Sequence, residues 1–306
     1  MDRLDELAIF VAILDAGSLA GAARTLRRSP PAVTRALALL EERVGARLLE
    51  RTTRRSRPTE AGKRLAEHAR RLIAGYGDAV RETAGAPVRG VLRVTAPLVF
   101  GRRHVTPIVA SFLDAYPGVR VELVLNDRNL DLIAEGIDVA LRIGALADAS
   151  LVARRVGEVR RVLVASPSYL ASRTALRRPH DLLADHDVVF TASRPGALAW
   201  RFGDPARPEV VRLVPRLVVN EVDAMLLAVR AGRGIGRALS YQVADDLASG
   251  ALVRLLPDAE PPPLPVQLVV PSARHLSAKA RSFVDHAVRA LAGLRVLRPA
   301  PDLGSE

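Results

Sequence analysis

The stretch SLAGAARTLRRSPPAVTRALALLEERVGARLLERTTRRSR, Ser18 to Arg57, constrains this chain most, because it sets two helix starts ahead of an arginine-rich turn. Ser18 follows Gly17 and is placed to cap the free amides of LAGAARTL. Ser29 and Pro30 mark a second start, since serine caps and proline fits the first helical position, where no amide hydrogen is needed. Val33, Leu37, Leu40 and Val44 then recur at helical spacing and are expected to pack inward. The opposite face, with Pro31, Thr34, Arg35 and Ala38, is small and uncharged except for Arg35. Such a face can enter a DNA major groove, where small side chains permit close approach and Arg contacts guanine through two hydrogen bonds.

A surface helical hairpin would share this pattern, so charge decides between the readings. From Arg24 to Arg57 ten Arg stand against Glu41, Glu42 and Glu50, a net +7, for which phosphate binding is the economical explanation. Leu48 and Leu49 with the TTRRSR turn read as a two-stranded wing that sets Arg51, Arg54 and Arg55 beside the sugar-phosphate backbone. Ahead of it, residues 4 to 16 form an opening helix whose Leu4, Leu7, Val11 and Leu14 make the face expected to cover the next two helices.

Here the residues carry a likeness: SPPAVTRALALLEERVGARLLERTTRRSRPTEAG resembles the recognition helix, wing and linker start of LysR-type transcriptional regulators. The resemblance continues in DVALRIGALADASLVARRV, ASPSYLA and VADDLASGALVRLLPD, and so covers nearly the whole chain. It implies an N-terminal all-α winged helix-turn-helix with a linker helix, followed by a two-lobed α/β effector domain like a periplasmic binding protein. Family members often carry Gln at the position of Pro30, where its amide can read a base edge; sequence readout here would rest on Thr34 and Arg35, with apolar contact from Pro30 or Pro31 to a thymine methyl. The DNA-binding residues expected are thus Ser18, Ser29, Pro30, Pro31, Thr34, Arg35, Arg51, Arg54 and Arg55.

Pro58 ends the wing and Thr59 can cap a long helix. Leu65, Leu72 and Ala79 repeat every seven residues, with Ala69 and Tyr76 between them, a seam suited to a second helix. It can pack on its own domain or dimerise; a small winged domain offers little surface to cover it, and operator reading needs two half-sites. The resemblance likewise implies linker-paired dimers that associate into tetramers. The boundaries expected are 1–58 for the DNA-binding domain, 59–84 for the linker helix and 85–90, GAPVRG, for a hinge.

Beyond the hinge, Val-rich runs such as VLRVTAP, VRVELVL and VQLVVP alternate with helical segments, which indicates an α/β fold. The resemblance places chain crossings between lobes near Arg160 and Val266, giving lobe I as 91–160 and 267–294, lobe II as 161–266 and a mobile tail over 295–306. Ligands in open α/β sheets sit beyond strand carboxyl ends, where helix N-termini offer free amides to anions. Thr95, Ala96 and Pro97 end one such strand, with a hydroxyl and an amide cradle for a carboxylate; Asn126, Thr191 and Asn220 end others. Each can equally be a turn or cap residue, and the resemblance favours the ligand role because comparable positions line the cleft between lobes. Arg142 interrupts an apolar strand and is a further candidate, or else a salt-bridge residue.

Catalytic and metal readings find no pattern. There is no Cys, no GxSxG and no HExxH, and HDLLADHD, residues 180 to 187, matches no trusted ligand spacing. AGRGIG, residues 231 to 236, follows a helix and lacks the Lys and hydroxyl of a phosphate loop, so it reads as a helix stop. No apolar run approaches the roughly 20 residues of a membrane span, and the acidic N-terminus is no export signal, so the expected compartment is the cytoplasm, with the protein held at the nucleoid by DNA. The net charge of +12 is spread along the chain and says little alone. The expected partners are double-stranded DNA, a small anionic effector, further copies of the chain as dimer or tetramer, and RNA polymerase if the protein activates; no cofactor is expected. The alternative is a cytoplasmic small-molecule-binding protein or enzyme on the two-lobed fold without specific DNA binding.

Overall fold

The computed structural model describes residues 2–51, 56–83, 87–128, 130–146, 151–192, 198–271 and 276–298. Helices α1 (Arg3–Ala16), α2 (Leu19–Thr25) and α3 (Pro30–Val44) enclose a core of Phe10, Ile13, Val33, Leu37 and Leu48. Strands β1 (Leu49–Arg51) and β2 (Ser56–Pro58) pair antiparallel as the wing, Leu49 opposite Pro58. Two inward faces differ from the sequence expectation. Helix α1 buries Glu6, Ile9, Phe10 and Ile13; because it packs against α2, α3 and the long helix α4 (Glu60–Thr83) together, it has no single apolar stripe, and Leu4, Leu7, Val11 and Leu14 are only half-buried. Helix α3 buries Val33, Ala36, Leu37 and Leu40, whereas Val44 stands exposed in its last turn.

Buried Glu6 is 2% exposed and accepts from Arg43 Nη1 at 2.6 Å, tying α1 to α3. Glu41 ties α3 to the wing by accepting from the Leu48 amide at 2.7 Å. Thr59 caps α4: its Oγ1 accepts from the Gly62 amide at 3.0 Å and donates to the Arg47 carbonyl at 2.8 Å. Gly62 sits where α4 meets the wing so closely that a Cβ there would lie 2.1 Å from the Leu48 carbonyl oxygen.

The remaining chain forms two five-stranded sheets. Lobe I orders its strands β4 (Val119–Leu125), β3 (Gly90–Ala96), β5 (Val139–Ile143), β14 (Leu264–Val270) and β6 (Val152–Val159). One face is covered by α11 (Ala278–Ala292) and by a continuous helical segment: α5 (Leu98–Phe100), a π-helical turn Gly101–Val105, then α6 (Thr106–Ala115). Lobe II orders β11 (Leu217–Val219), β8 (Val188–Thr191), β12 (Ile235–Leu239), β7 (Arg161–Ala165) and β13 (Val253–Leu255). Helices α9 (Val222–Arg230) and α10 (Ala244–Ser249) pack on one face; α7 (Pro167–Leu170), α8 (Leu182–Asp185) and the hairpin of β9 (Ala199–Phe202) with β10 (Glu209–Arg212) cover the other.

Strand direction fixes how the lobes face. In lobe I β3, β4 and β5 are parallel, and β6 runs with them because both β5 and β6 are antiparallel to β14. The chain therefore leaves lobe I at the carboxyl edge, through Arg160, and enters β7, whose Arg161 lies opposite Leu239 at the carboxyl end of β12. The carboxyl edges of the two sheets thus meet across the connection. The return crossing runs between Leu255 and Leu264; Val266, the expected boundary, lies inside β14, paired with Ile143 and Gly157. Residues 295–298 also depart from expectation: Arg295–Leu297 makes a 3-10 turn whose Leu297 joins the lobe I core, while 299–306 fall outside the described residues.

Gly62→Ala is expected to lower the stability of the winged domain by about 2 kcal/mol, because the contacting atom is backbone and cannot rotate away. Thermal unfolding of the full chain followed by circular dichroism checks it.

Candidate DNA interface and interlobe cleft

Pro30, Pro31, Thr34, Arg35 and Ala38 are exposed together on α3, as the spacing predicts. Ser18 Oγ accepts from the Gly21 amide at 3.0 Å and so caps α2. Ser29 occupies the cap position of α3 without a side-chain bond to it, which leaves its hydroxyl exposed and free to meet a phosphate. Thr34 Oγ1 donates back to the Pro30 carbonyl at 3.0 Å, so toward DNA it is left as an acceptor with an exposed methyl. Arg35 enters no ion pair among the described residues.

The charge count needs correction. Arg28 is held bidentate by Asp5 at 2.9 and 2.8 Å, and Arg43 by Glu6, so both are structural. Between Arg24 and Arg57, the exposed arginines without an ion pair among the described residues are Arg24, Arg27, Arg35, Arg47 and Arg57. Of the wing residues expected, Arg54 and Arg55 lie outside the described residues, and only the backbone of Arg51 is described.

Helix α4 divides its expected seam. Leu65 and Ala69 pack within the chain, Ala69 fully buried; Leu72 and Tyr76 are each 59% exposed and align with exposed Val80 at i, i+4 and i+8. The Ala79 side chain lies outside what is described.

In the cleft, the amide cradle is not free. Leu98 N donates to Asp127 Oδ1 at 2.9 Å, so the start of α5 is capped by a carboxylate of the same lobe. Across the cleft Glu221 accepts from the Ala224 amide at 2.9 Å and caps α9. Thr95 is fully buried and donates to the Val124 carbonyl at 2.8 Å, which ties β3 to β4 and removes its hydroxyl from the ligand set. Ala96 is buried beside it, Pro97 is half-exposed, and Asn126 accepts from the Arg128 amide as a turn residue at 2.8 Å. Asn220 is exposed between β11 and α9. Of the expected effector residues, two carry buried atoms without a hydrogen-bond partner, Arg142 Nη2 and Thr191 Oγ1; His104 Nε2, His186 Nδ1 and Ser277 Oγ are the others among the described residues. Burial lowers the Arg142 guanidinium from its ordinary value.

Contacts that pattern reading missed hold the lobes together. The π-helical turn carries Arg102 and Arg103 to Asp223 in the first turn of α9; Arg102 Nη2 bonds Oδ2, and Arg103 Nη2 lies 3.9 Å from Oδ1. Arg103 Nη1 also donates to the Gln242 carbonyl at 3.1 Å, and Phe100 meets Tyr241 edge-on at 5.1 Å. These six residues read as ordinary helix or turn positions until the lobes are assembled. A Cβ at Gly101 would lie 2.2 Å from Leu125 Cδ2, so the Leu125 side chain packs in the space the glycine leaves. In HDLLADHD, Asp181 accepts from the Arg177 and Arg178 amides and Arg173 pairs with Asp185 and Asp187. Among the described residues no group of His, Cys, Asp and Glu is arranged to hold a metal ion, and no single helix is long and apolar enough to cross a membrane.

Residues 4–63 match the family model for bacterial regulatory helix-turn-helix proteins of the lysR family, and residues 85–292 match the LysR substrate binding domain. The chain belongs to the LysR family of transcriptional regulators. This LysR-type regulator is 35% identical to the transcriptional regulator PtxR of Pseudomonas aeruginosa, over 92% of this chain and 91% of that one. It is 32% identical to the probable regulator LtrA of Klebsiella pneumoniae, over 94% of each. The structure of CrgA, a LysR-type regulator from Neisseria meningitidis, superposes with a TM-score of 0.58 at 29% identity, covering 95% of this chain and 99% of that one. The LysR-type regulator thus joins a helix-turn-helix DNA-binding domain to a two-lobed domain of the effector-binding kind, and its relatives are regulators, not enzymes.

Asp223→Asn is expected to loosen the lobes. A partly exposed ion pair contributes about 0.2–1 kcal/mol, so amide exchange at residues 98–105 and 222–226 should accelerate by up to about fivefold. Hydrogen-exchange mass spectrometry reads it directly.

Proposed function

We propose that this regulator binds operator DNA sequence-specifically as a homodimer or tetramer, and that a small anionic metabolite held between the lobes modulates that binding. The observation that carries the effector reading is Arg142, a half-buried cation on β5 at the cleft edge of lobe I whose Nη2 has no partner. A desolvated charge is costly until a counter-charge arrives, and a carboxylate matches its planar donors. Thr191, with an unpartnered hydroxyl at the carboxyl end of β8, is the matching contact from lobe II. Pro97, Asn126 and Asn220 line the opening; Thr95 and Ala96 support its wall.

On DNA, Arg35 and Thr34 read bases, Pro30 and Pro31 give apolar contact, and Ser29, Arg24, Arg27, Arg47 and Arg57 hold phosphates together with the wing arginines Arg51, Arg54 and Arg55. Leu72, Tyr76, Val80 and Ala79 supply the linker seam between two subunits. The regulator works in the cytoplasm, and RNA polymerase is a partner if it activates. An effector shifts the assembly only by its differential affinity for two lobe arrangements, so lobe closure must alter the spacing of the DNA heads.

Mobility shift on the DNA upstream of the protein's own gene, with scrambled competitor, tests the DNA reading. Arg35→Ala should cost about 1–3 kcal/mol on the preferred sequence and relax one base position. Arg47→Ala should instead weaken all sequences alike and reduce the salt slope by about one charge. Equal binding to scrambled DNA by the wild-type chain contradicts sequence-specific recognition.

Tyr76→Glu is expected to shift the protein toward monomer in sedimentation velocity at micromolar concentration, because it places a charge in the linker seam. Undiminished association removes α4 as the dimer contact.

A further inference from the structure

Lobe II carries positive charge on its hairpin-covered face that no ion pair among the described residues neutralises. Arg161 opens β7 and Arg237 lies on the neighbouring β12; since Arg161 pairs with Leu239 and Arg237 with Leu163, the two arginines share one face and stand one diagonal step apart. The β9–β10 hairpin folds over them, where Arg237 Nη2 donates to the Arg201 carbonyl at 2.9 Å and its guanidinium carbon lies 5.7 Å from the Phe202 ring centre. Between these elements is a cavity of about 350 Å³ lined by Arg161, Arg201, Arg237, Phe202, Pro205 and Pro208, with Pro261 at its edge.

No ion pair reaches Arg161, Arg201 or Arg237 among the described residues. The carboxylate that acts on Arg237 is Glu260, and both its oxygens are already bound by Arg254 at 2.7 Å. Burial and the charge of Arg161 push the Arg237 guanidinium down to about 10, and burial lowers Arg161 as well. A half-buried guanidinium, Arg237, with the more exposed Arg161 and Arg201 beside it, lines this cavity without a counter-charge among the described residues, an arrangement suited to an incoming oxyanion. The volume suits a small molecule, and Phe202 with the prolines offers it a flat apolar wall.

The cavity is separate from the cleft, because its walls come from lobe II and the second crossing alone. It also touches both connections between the lobes: Arg161 follows the crossing residue Arg160, and Pro261 lies in the return crossing. We propose that this cavity is a second ligand site, taking a small organic oxyanion, carboxylate or phosphate, whose compact apolar part rests on Phe202 and whose charge is shared by Arg161, Arg201 and Arg237.

The test is calorimetric titration of the full chain with two probes, benzoate and inorganic phosphate, each to about 10 mM. Binding of either probe, weakened about tenfold or more in both Arg237→Leu and Arg161→Gln, supports the site; benzoate alone identifies a carboxylate ligand, phosphate alone a phosphorylated one. Unliganded Arg237→Leu should melt close to wild type, since it exchanges a half-buried guanidinium that has no ion pair for an apolar side chain beside Phe202, and the Arg161→Gln result stands by itself if Arg237→Leu misfolds. Overturning results are no binding of either probe, or binding unaffected by both variants. Loss of the response in Arg142→Gln with retention in Arg237→Leu would assign the anion to the cleft and equally overturn the proposal.

Discussion

Two chain crossings at one edge of each sheet are the constraint on which the rest of the effector domain depends. Because β6 runs with β5 and hands over through Arg160 to β7, the carboxyl ends of both parallel strand sets are brought face to face. Arg160 and Ser240 then bond each other, backbone amide to side-chain oxygen and amide to carbonyl, at 3.1 and 2.8 Å. With the crossing pinned there, the distance between lobes is set by Asp223 against Arg102 and Arg103, by Arg103 on the Gln242 carbonyl, and by Tyr241 packed on Phe100. A partly exposed ion pair is a weak lock. That weakness suits a device whose two arrangements must differ by only a few kcal/mol if a ligand is to shift them.

The same economy governs the charges. In the winged domain, Glu6 and Asp5 withdraw Arg43 and Arg28 from the DNA face and use them to fasten α1 to the helix-turn-helix. What remains around α3 is a ring of uncommitted arginines about a small, nearly neutral reading surface. In the proposed reading, phosphate contacts from that ring would position the protein while the short central face discriminates bases. In the effector domain the logic inverts. The helix starts at α5 and α9 are satisfied internally by Asp127 and Glu221, and it is the strand residues Arg142 and Thr191 that are left wanting a partner.

Local signals were legible in the sequence. Ser18 and Thr59 cap the helices that follow them, Pro30 opens α3, and the Val-rich runs became the strands of two sheets, since each depends on neighbours within a few residues. What required the assembled fold was read less well. The hydroxyl of Thr95 is consumed by Val124, and the pairing that brings them together spans 29 residues. The Arg43 and Glu6 pair spans 37 residues, and the Arg102 and Asp223 pair 121. The inward face of α1 is not legible for a related reason: a helix packed from several sides carries no clear stripe to read. Of the cleft, the strand ends were located correctly, but which of their groups stays unsatisfied depends on caps contributed from outside the motif.

The most direct measurement of the central claim is operator affinity against a panel of small carboxylic acids, each paired with its neutral amide, on an operator recovered by selection from genomic fragments. Effector coupling through Arg142 predicts that at least one acid changes the dissociation constant by about fivefold or more, that its amide does not, and that the response disappears in Arg142→Gln. An affinity indifferent to every acid, or changed equally by acid and amide, would contradict an anion-gated regulator.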